Sequence, residues 1–204
     1  MTHPTDSFEY EILKEAVKRV KGVEGAIVEI GTRQGGSMMH IIDALNENQD
    51  SGRTVISIDP YGHIPYNDGK TLGTRYDYTN EMRNEAMQRL YGYVRGMEVN
   101  FLFFNLESTE FFSKFEHGVP VYEIEKRIET RYAFAFLDGS HDFFDILEEL
   151  LFFSKRMTAG AVVVVDDIDF EGVRVSDLIE ISAQHNYGFG VLQRGSKKIA
   201  FIKR

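Results

Sequence analysis

The chain has no cysteine among its 204 residues. This excludes a disulfide framework, a thiolate nucleophile and thiolate metal sites, and argues for an intracellular, cytoplasmic protein. Any metal is therefore left to oxygen and imidazole donors. No apolar run reaches the length of a membrane span, and Met1 to Asp6 has neither a basic start nor an apolar core, so no secretory signal is expected. No basic block is present, and a net charge of -9 repels phosphate backbones. Nucleic acid and membrane are thereby set aside as partners, and a small molecule is favoured. Repeats and low-complexity segments are also missing. A hydrophobic content of 43% and a charged content of 27% are ordinary for a globular protein, and residues 1–204 fit a single domain.

The most informative stretch is Ala26 to Met39. A short apolar run, Ala26 to Ile30, carries one acid, Glu29. Glycines follow at 31, 35 and 36, and then comes a helical segment, Met38 to Leu45. Strand, glycine loop and helix in that order make a cradle, because glycine admits close backbone approach and a helix start offers unpaired N–H groups to an anion. A dinucleotide fingerprint requires G-x-G-x-x-G, but Arg33 holds the place of the second glycine. The string Glu29-Ile30-Gly31-Thr32-Arg33-Gln34-Gly35-Gly36-Ser37 instead resembles the first motif of class I S-adenosylmethionine-dependent methyltransferases.

Upstream, Asp6-Ser7-Phe8-Glu9 has the form of a capping box, and Phe8, Ile12, Ala16 and Val20 recur every four residues, which predicts an amphipathic opening helix ending at Gly22. Arg53 to Ile58 reads as a strand that ends on Asp59-Pro60. An acid there can accept hydrogen bonds from ribose hydroxyls, or it can simply start a turn. Residues 61–78 follow no period but are rich in tyrosine and glycine, which marks a candidate lid. A helix is expected from Thr79 to about Gly96, and a strand over Val99 to Phe104. Ser108 is read either as cofactor lining or as the cap of a helix carrying Phe111, Phe112 and Phe115.

Val121, Ile124 and Ile128 share one helical face, so a short surface helix is expected within 119–131. Tyr132 to Leu137 is a strand followed at once by Asp138-Gly139-Ser140-His141-Asp142. A helix over Phe143 to Phe153 then leads to Ala161 to Val165, a buried strand of parallel type that ends in Asp166-Asp167-Ile168-Asp169. A last helix over Val173 to His185 and two strands, Tyr187 to Leu192 and Lys198 to Lys203, close the chain as a hairpin. The resulting expectation is an α/β fold: a Rossmann-like, doubly wound, mostly parallel seven-stranded sheet with a C-terminal antiparallel hairpin.

Asp138, Asp166 and Asp167 then fall at the ends of two neighbouring strands and face one crevice. That much negative charge calls for a cation, and an all-oxygen set suits Mg²⁺ or Mn²⁺. At this point the resemblance narrows to metal-dependent O-methyltransferases of the macrocin and catechol types. It implies that Asp138, Asp166 and Asp167 hold the metal, which chelates a hydroxylated acceptor such as a sugar, glycoside or catechol. The catechol type has Asn where this chain has Asp167, which is nearer the macrocin type. The resemblance further places Glu29, Gly31, Thr32, Arg33, Gly35, Gly36, Ser37 and Asp59 around S-adenosylmethionine, with Glu107 and Ser108 near the adenine. His141 stands where the catechol type carries its base; a structural role, capping a helix or orienting Asp138, is the alternative.

Three other readings are open. They are a metal-free methyltransferase, a glycosyltransferase with Asp167-Ile168-Asp169 as its D-x-D, and a cofactor-binding protein without catalysis. A homodimer is compatible with each of them.

Overall fold

In the computed structural model of the protein, residues 3–4, 7–50, 52–65 and 74–204 are described. The first half of the chain runs α1 (Tyr10–Arg19), β1 (Ala26–Ile30), α2 (Gly36–Glu47), β2 (Arg53–Ile58), α3 (Asn80–Tyr93), β3 (Val99–Phe104) and α4 (Ser108–Lys114). The second half runs β4 (Val119–Tyr122), β5 (Lys126–Glu129), β6 (Tyr132–Leu137), α5 (Phe143–Ser154), β7 (Val162–Val165), α6 (Val175–Ser182), β8 (Phe189–Arg194) and β9 (Ile199–Lys203). Seven strands form one sheet in the order β3-β2-β1-β6-β7-β9-β8, with β9 antiparallel to both its neighbours.

The central strands β1, β6 and β7 are buried at every position, as their unbroken apolar runs require once helices cover both faces of a parallel sheet. Leu13 and Val17 of α1 and Met38 and Ile41 of α2 pack on one face, against Phe134 and Phe136. Phe111 and Phe112 of α4 and Phe152 and Phe153 of α5 pack on the other, where the rings of Phe112 and Phe152 stack 3.9 Å apart. Each such side chain stabilises the fold by about 1.5–3 kcal/mol through burial. The chain leaves β1 outward to β2 and returns on the other side as β6. The crevice beyond the carboxyl ends of β1 and β6 is therefore the switch point of the sheet, where doubly wound folds bind ligands.

Four local expectations are corrected. Residues 119–131 form a two-stranded antiparallel hairpin rather than a surface helix. Val119 and Val121 alternate inward with a period of two, and Pro120 is accommodated because β4 is an edge strand. The opening helix starts at Tyr10 with Glu9 in a left-handed conformation (φ 60°) and no side-chain cap, while Phe8 is exposed and Asp6 lies outside the described residues. The Glu9 carboxylate instead accepts from the backbone N–H groups of Ser196, Lys197 and Lys198 at 2.9–3.1 Å, gathering the β8–β9 turn. Helix α4 is capped by Glu107, in a reciprocal capping box with Glu110, and not by Ser108. The last helix is shorter than expected: α6 ends at Ser182 and is preceded by a single 3₁₀ turn, Glu171–Val173.

Candidate active site

A cavity of about 710 Å³ opens at the switch point, within the usual range for a small-molecule site. The loop after β1 forms its floor. Gly31 has φ +88°, and a Cβ there would stand 2.1 Å from the backbone oxygen of Asp138, so β1 and β6 can converge only around a glycine. Gly35 has φ +83° and starts α2 without a side-chain cap, and Gly36 and Ser37 of the uncapped first turn line the cavity.

Two acids are buried behind this loop. Glu29 accepts a 2.5 Å hydrogen bond from the Ser37 hydroxyl; burial, only partly offset by that bond, pushes its carboxyl up to about 8. Asp59, at the end of β2, accepts from the N–H of Arg33 at 2.8 Å and of Tyr61 at 3.3 Å. Burial raises it to about 6. The buried Tyr61 hydroxyl donates in turn to the Arg33 carbonyl. Asp59 therefore holds the glycine loop to the segment after β2, in addition to lining the cavity.

The acids after β6 and β7 separate. Asp138 and Asp167 line the cavity together with His141, and one donor atom of each lies within 4.8 Å of the others. His141 Nε2 is 3.2 Å from Asp167 Oδ2, and its ring stacks on Phe170 at 4.7 Å. Asp142, not His141, caps α5 by accepting from the Phe144 N–H. Asp166 lies behind them: its Oδ2 accepts from Lys198 Nζ at 2.6 Å and from the Ser7 hydroxyl at 2.8 Å. Burial first, and the charge of Asp166 second, push the Asp138 carboxyl well above the usual range. Asp169 turns outward to Lys197 and does not line the cavity, so Asp167 and Asp169 do not act as a pair.

Leu106, Glu107 and Ser108 form one wall. Ser108 hydrogen-bonds Glu149, whose carboxyl is pushed up to about 8 by burial. Glu149 Oε2 has no hydrogen-bond partner among the described residues. Of the expected lid, residues 66–73 lie outside the described residues. Its two flanks meet at the mouth, where the His63 N–H donates to the Tyr78 carbonyl at 2.8 Å and Ile64, Arg75 and Tyr78 line the cavity. Lys198, Glu149, Tyr10 and Phe170 are site features that sequence reasoning missed. Only strand pairing exposes Lys198, because Val165 opposite Ile199 sets Asp166 beside it.

The geometry agrees with known proteins. Residues 28–168, more than half of the chain, match a family model described as a methyltransferase domain. Among solved structures, the O-methyltransferase NovP is 19% identical with a TM-score of 0.61, covering 95% of this chain and 78% of its own. An O-methyltransferase from Bacillus cereus in complex with SAH is 17% identical with a TM-score of 0.61, covering 100% of this chain and 84% of its own. CalS11, a TDP-rhamnose 3'-O-methyltransferase in calicheamicin biosynthesis, is 11% identical with a TM-score of 0.64, covering 94% and 77%. A comparison with curated protein sequences finds no match. Among the described residues no helix is long and apolar enough to cross a membrane. The glycine cradle, the strand order and the family match together make this chain a member of the methyltransferase-domain family, with the class I fold that uses S-adenosylmethionine.

Proposed function

We propose that the protein methylates a hydroxyl group of a small molecule, with Mg²⁺ assisting. The observation that carries this reading is the His141–Asp167 contact at 3.2 Å inside the cavity that the glycine cradle opens. The cradle fits the methyl donor, since glycine is obligatory at Gly31 and the start of α2 suits a carboxylate. Bound S-adenosylmethionine supplies an electrophilic methyl group. Backbone N–H groups between Gly31 and Ser37 would hold its methionyl carboxylate, Glu29 would support that end from below, and Asp59 would meet the ribose.

Asp167 Oδ2 stands 3.2 Å from His141 Nε2 and would orient the imidazole, which would accept the hydroxyl proton. Asp138 and Asp167 are the carboxylates that would hold Mg²⁺, and two is a usual protein share for this ion. Held there, Mg²⁺ would supply positive charge that favours loss of the acceptor's hydroxyl proton to His141. Asp166 is left out of this set because Lys198 already neutralises it. Tyr10, Tyr61, Tyr78 and Phe170 give the cavity ring faces suited to a sugar or an aromatic acceptor, and CalS11 acts on a sugar.

A metal-free reading has one observation in its favour: Lys198 places a permanent cation beside the acids. The two separate in one experiment. Calorimetry should show S-adenosylhomocysteine binding with and without Mg²⁺, while transfer to catechol and sugar acceptors stops in chelator and returns with Mg²⁺. Transfer that persists in chelator overturns the metal step; no S-adenosylhomocysteine binding overturns the whole reading.

A further inference from the structure

A second cluster of donors lies away from the acids of the cleft. His40 and Asp43 stand three residues apart on one face of α2, and the segment before α1 brings His3 against them. One donor atom from each of the three lies within 4.8 Å of the others. His3 Nε2 is 2.7 Å from Asp43 Oδ2, and the two imidazoles meet edge to face at 4.5 Å. Tyr10 stacks on His40 at 4.2 Å, and the Tyr93 hydroxyl donates to Asp43, so aromatic walls fix the geometry.

A hydrogen-bonded His–Asp pair accounts for only half of this arrangement. It leaves Nδ1 of His3 and Nδ1 of His40 buried with no partner among the described residues. Buried polar atoms are paired in the large majority of cases. With the proton of His3 on Nε2, facing Asp43, its Nδ1 carries a bare lone pair that accepts either a proton or a Lewis acid.

We propose that His3, His40 and Asp43 form a site for a divalent transition ion that prefers imidazole, with Zn²⁺ as the type. Two nitrogens and one carboxylate oxygen are three of the four ligands of a tetrahedral site, and water completes it. Mg²⁺ and Ca²⁺ choose all-oxygen sets and are disfavoured here. The ion would tie the segment around His3 to α2. Pro4 and Ser7 of that segment line the cleft, and Ser7 donates to Asp166, so ion binding would fix one wall of the methyl-transfer site. The site stands independently of the reading proposed for the cleft.

The test is titration of the full chain with Zn²⁺ in excess Mg²⁺, followed by calorimetry. Co²⁺ absorption then serves as a second readout of tetrahedral nitrogen and oxygen ligation. The expected result is one Zn²⁺ per chain, affinity reduced roughly tenfold or more in H3A and in D43N, and little change in D167N. H3A removes a side chain outside the sheet and helices, so it tests the site even where H40A fails to fold. Zn²⁺ should also slow proteolysis before residue 10 in the unsubstituted chain but not in H3A. The proposal is overturned by absence of Zn²⁺ binding, by undiminished affinity in H3A, or by loss of the ion in D167N with retention in H3A, which would place the ion in the cleft.

Discussion

Lys198 Nζ lies 2.6 Å from Asp166 Oδ2 with both side chains closed to water, and this pair joins the start of β9 to the acids beyond β7. Removing one partner leaves the other charged and unpaired, so K198M should cost about 3–5 kcal/mol in urea denaturation. The double change K198M/D166L should recover most of that loss. A K198M loss under 1 kcal/mol would mean that the pair is not a buried charge pair in solution.

For His141, H141A should slow methyl transfer by roughly 10²–10⁴-fold, the usual worth of a general base. S-adenosylhomocysteine affinity should stay within about 1 kcal/mol, because His141 and the glycine loop are separate parts of the cavity. Parallel loss of cofactor would assign His141 to architecture instead.

Four buried carboxyls, Glu29, Asp59, Asp138 and Glu149, are raised by burial and set a pH dependence of stability. Glu29 and Glu149 are raised to about 8 and Asp59 to about 6, from ordinary values of 4.5 and 3.8. Between the ordinary and raised values the folded state holds more protons than the unfolded one. This stabilisation is therefore full below about pH 4 and is lost as pH rises toward 8, each pKa unit being worth about 1.4 kcal/mol. The melting temperature should fall from pH 6 to pH 8.5, and E149Q should flatten that slope. An equal slope in E149Q would remove Glu149 from the account.

Two glycines of similar φ separate crowding from backbone strain. Gly96 has φ +82° and open space around its Cβ position, so G96A should cost about 1–2 kcal/mol. Gly31 has φ +88°, and its Cβ would stand 2.1 Å from a backbone oxygen, so G31A should cost more than G96A and abolish S-adenosylhomocysteine binding. Equal stabilities with intact binding would show that β1 and β6 can part without loss.

Much of this was legible in the sequence, for a physical reason. Parallel strands buried on both faces appear as plain apolar runs, and Arg53–Ile58, Val99–Phe104 and Tyr132–Leu137 occupy the spans that their residues announce. What failed was local ambiguity and long-range pairing. Val121 and Ile128 lie seven apart, a distance that fits two helical turns, while the alternation that wins in the hairpin spans only four residues per strand. Lys198 reads as an ordinary solvent-facing lysine until β9 is set against β7. The three clustered acids likewise look equivalent until that lysine takes one of them away.

The bonds from Glu9 to Ser196, Lys197 and Lys198 also have a consequence for the nascent chain. Residue 9 is synthesised roughly 10–40 s before residue 198, at ordinary rates of about 5–20 residues per second. Over that interval the opening helix lacks its anchor and Asp166 lacks its cation, although β1, β2, β3 and β6 have already been translated. The wall of the cleft beside Ser7 is thus among the last parts to be assembled, and a ribosome stalled before Ser196 would hold a sheet with its acids unneutralised, a substrate for chaperones rather than for methyl transfer.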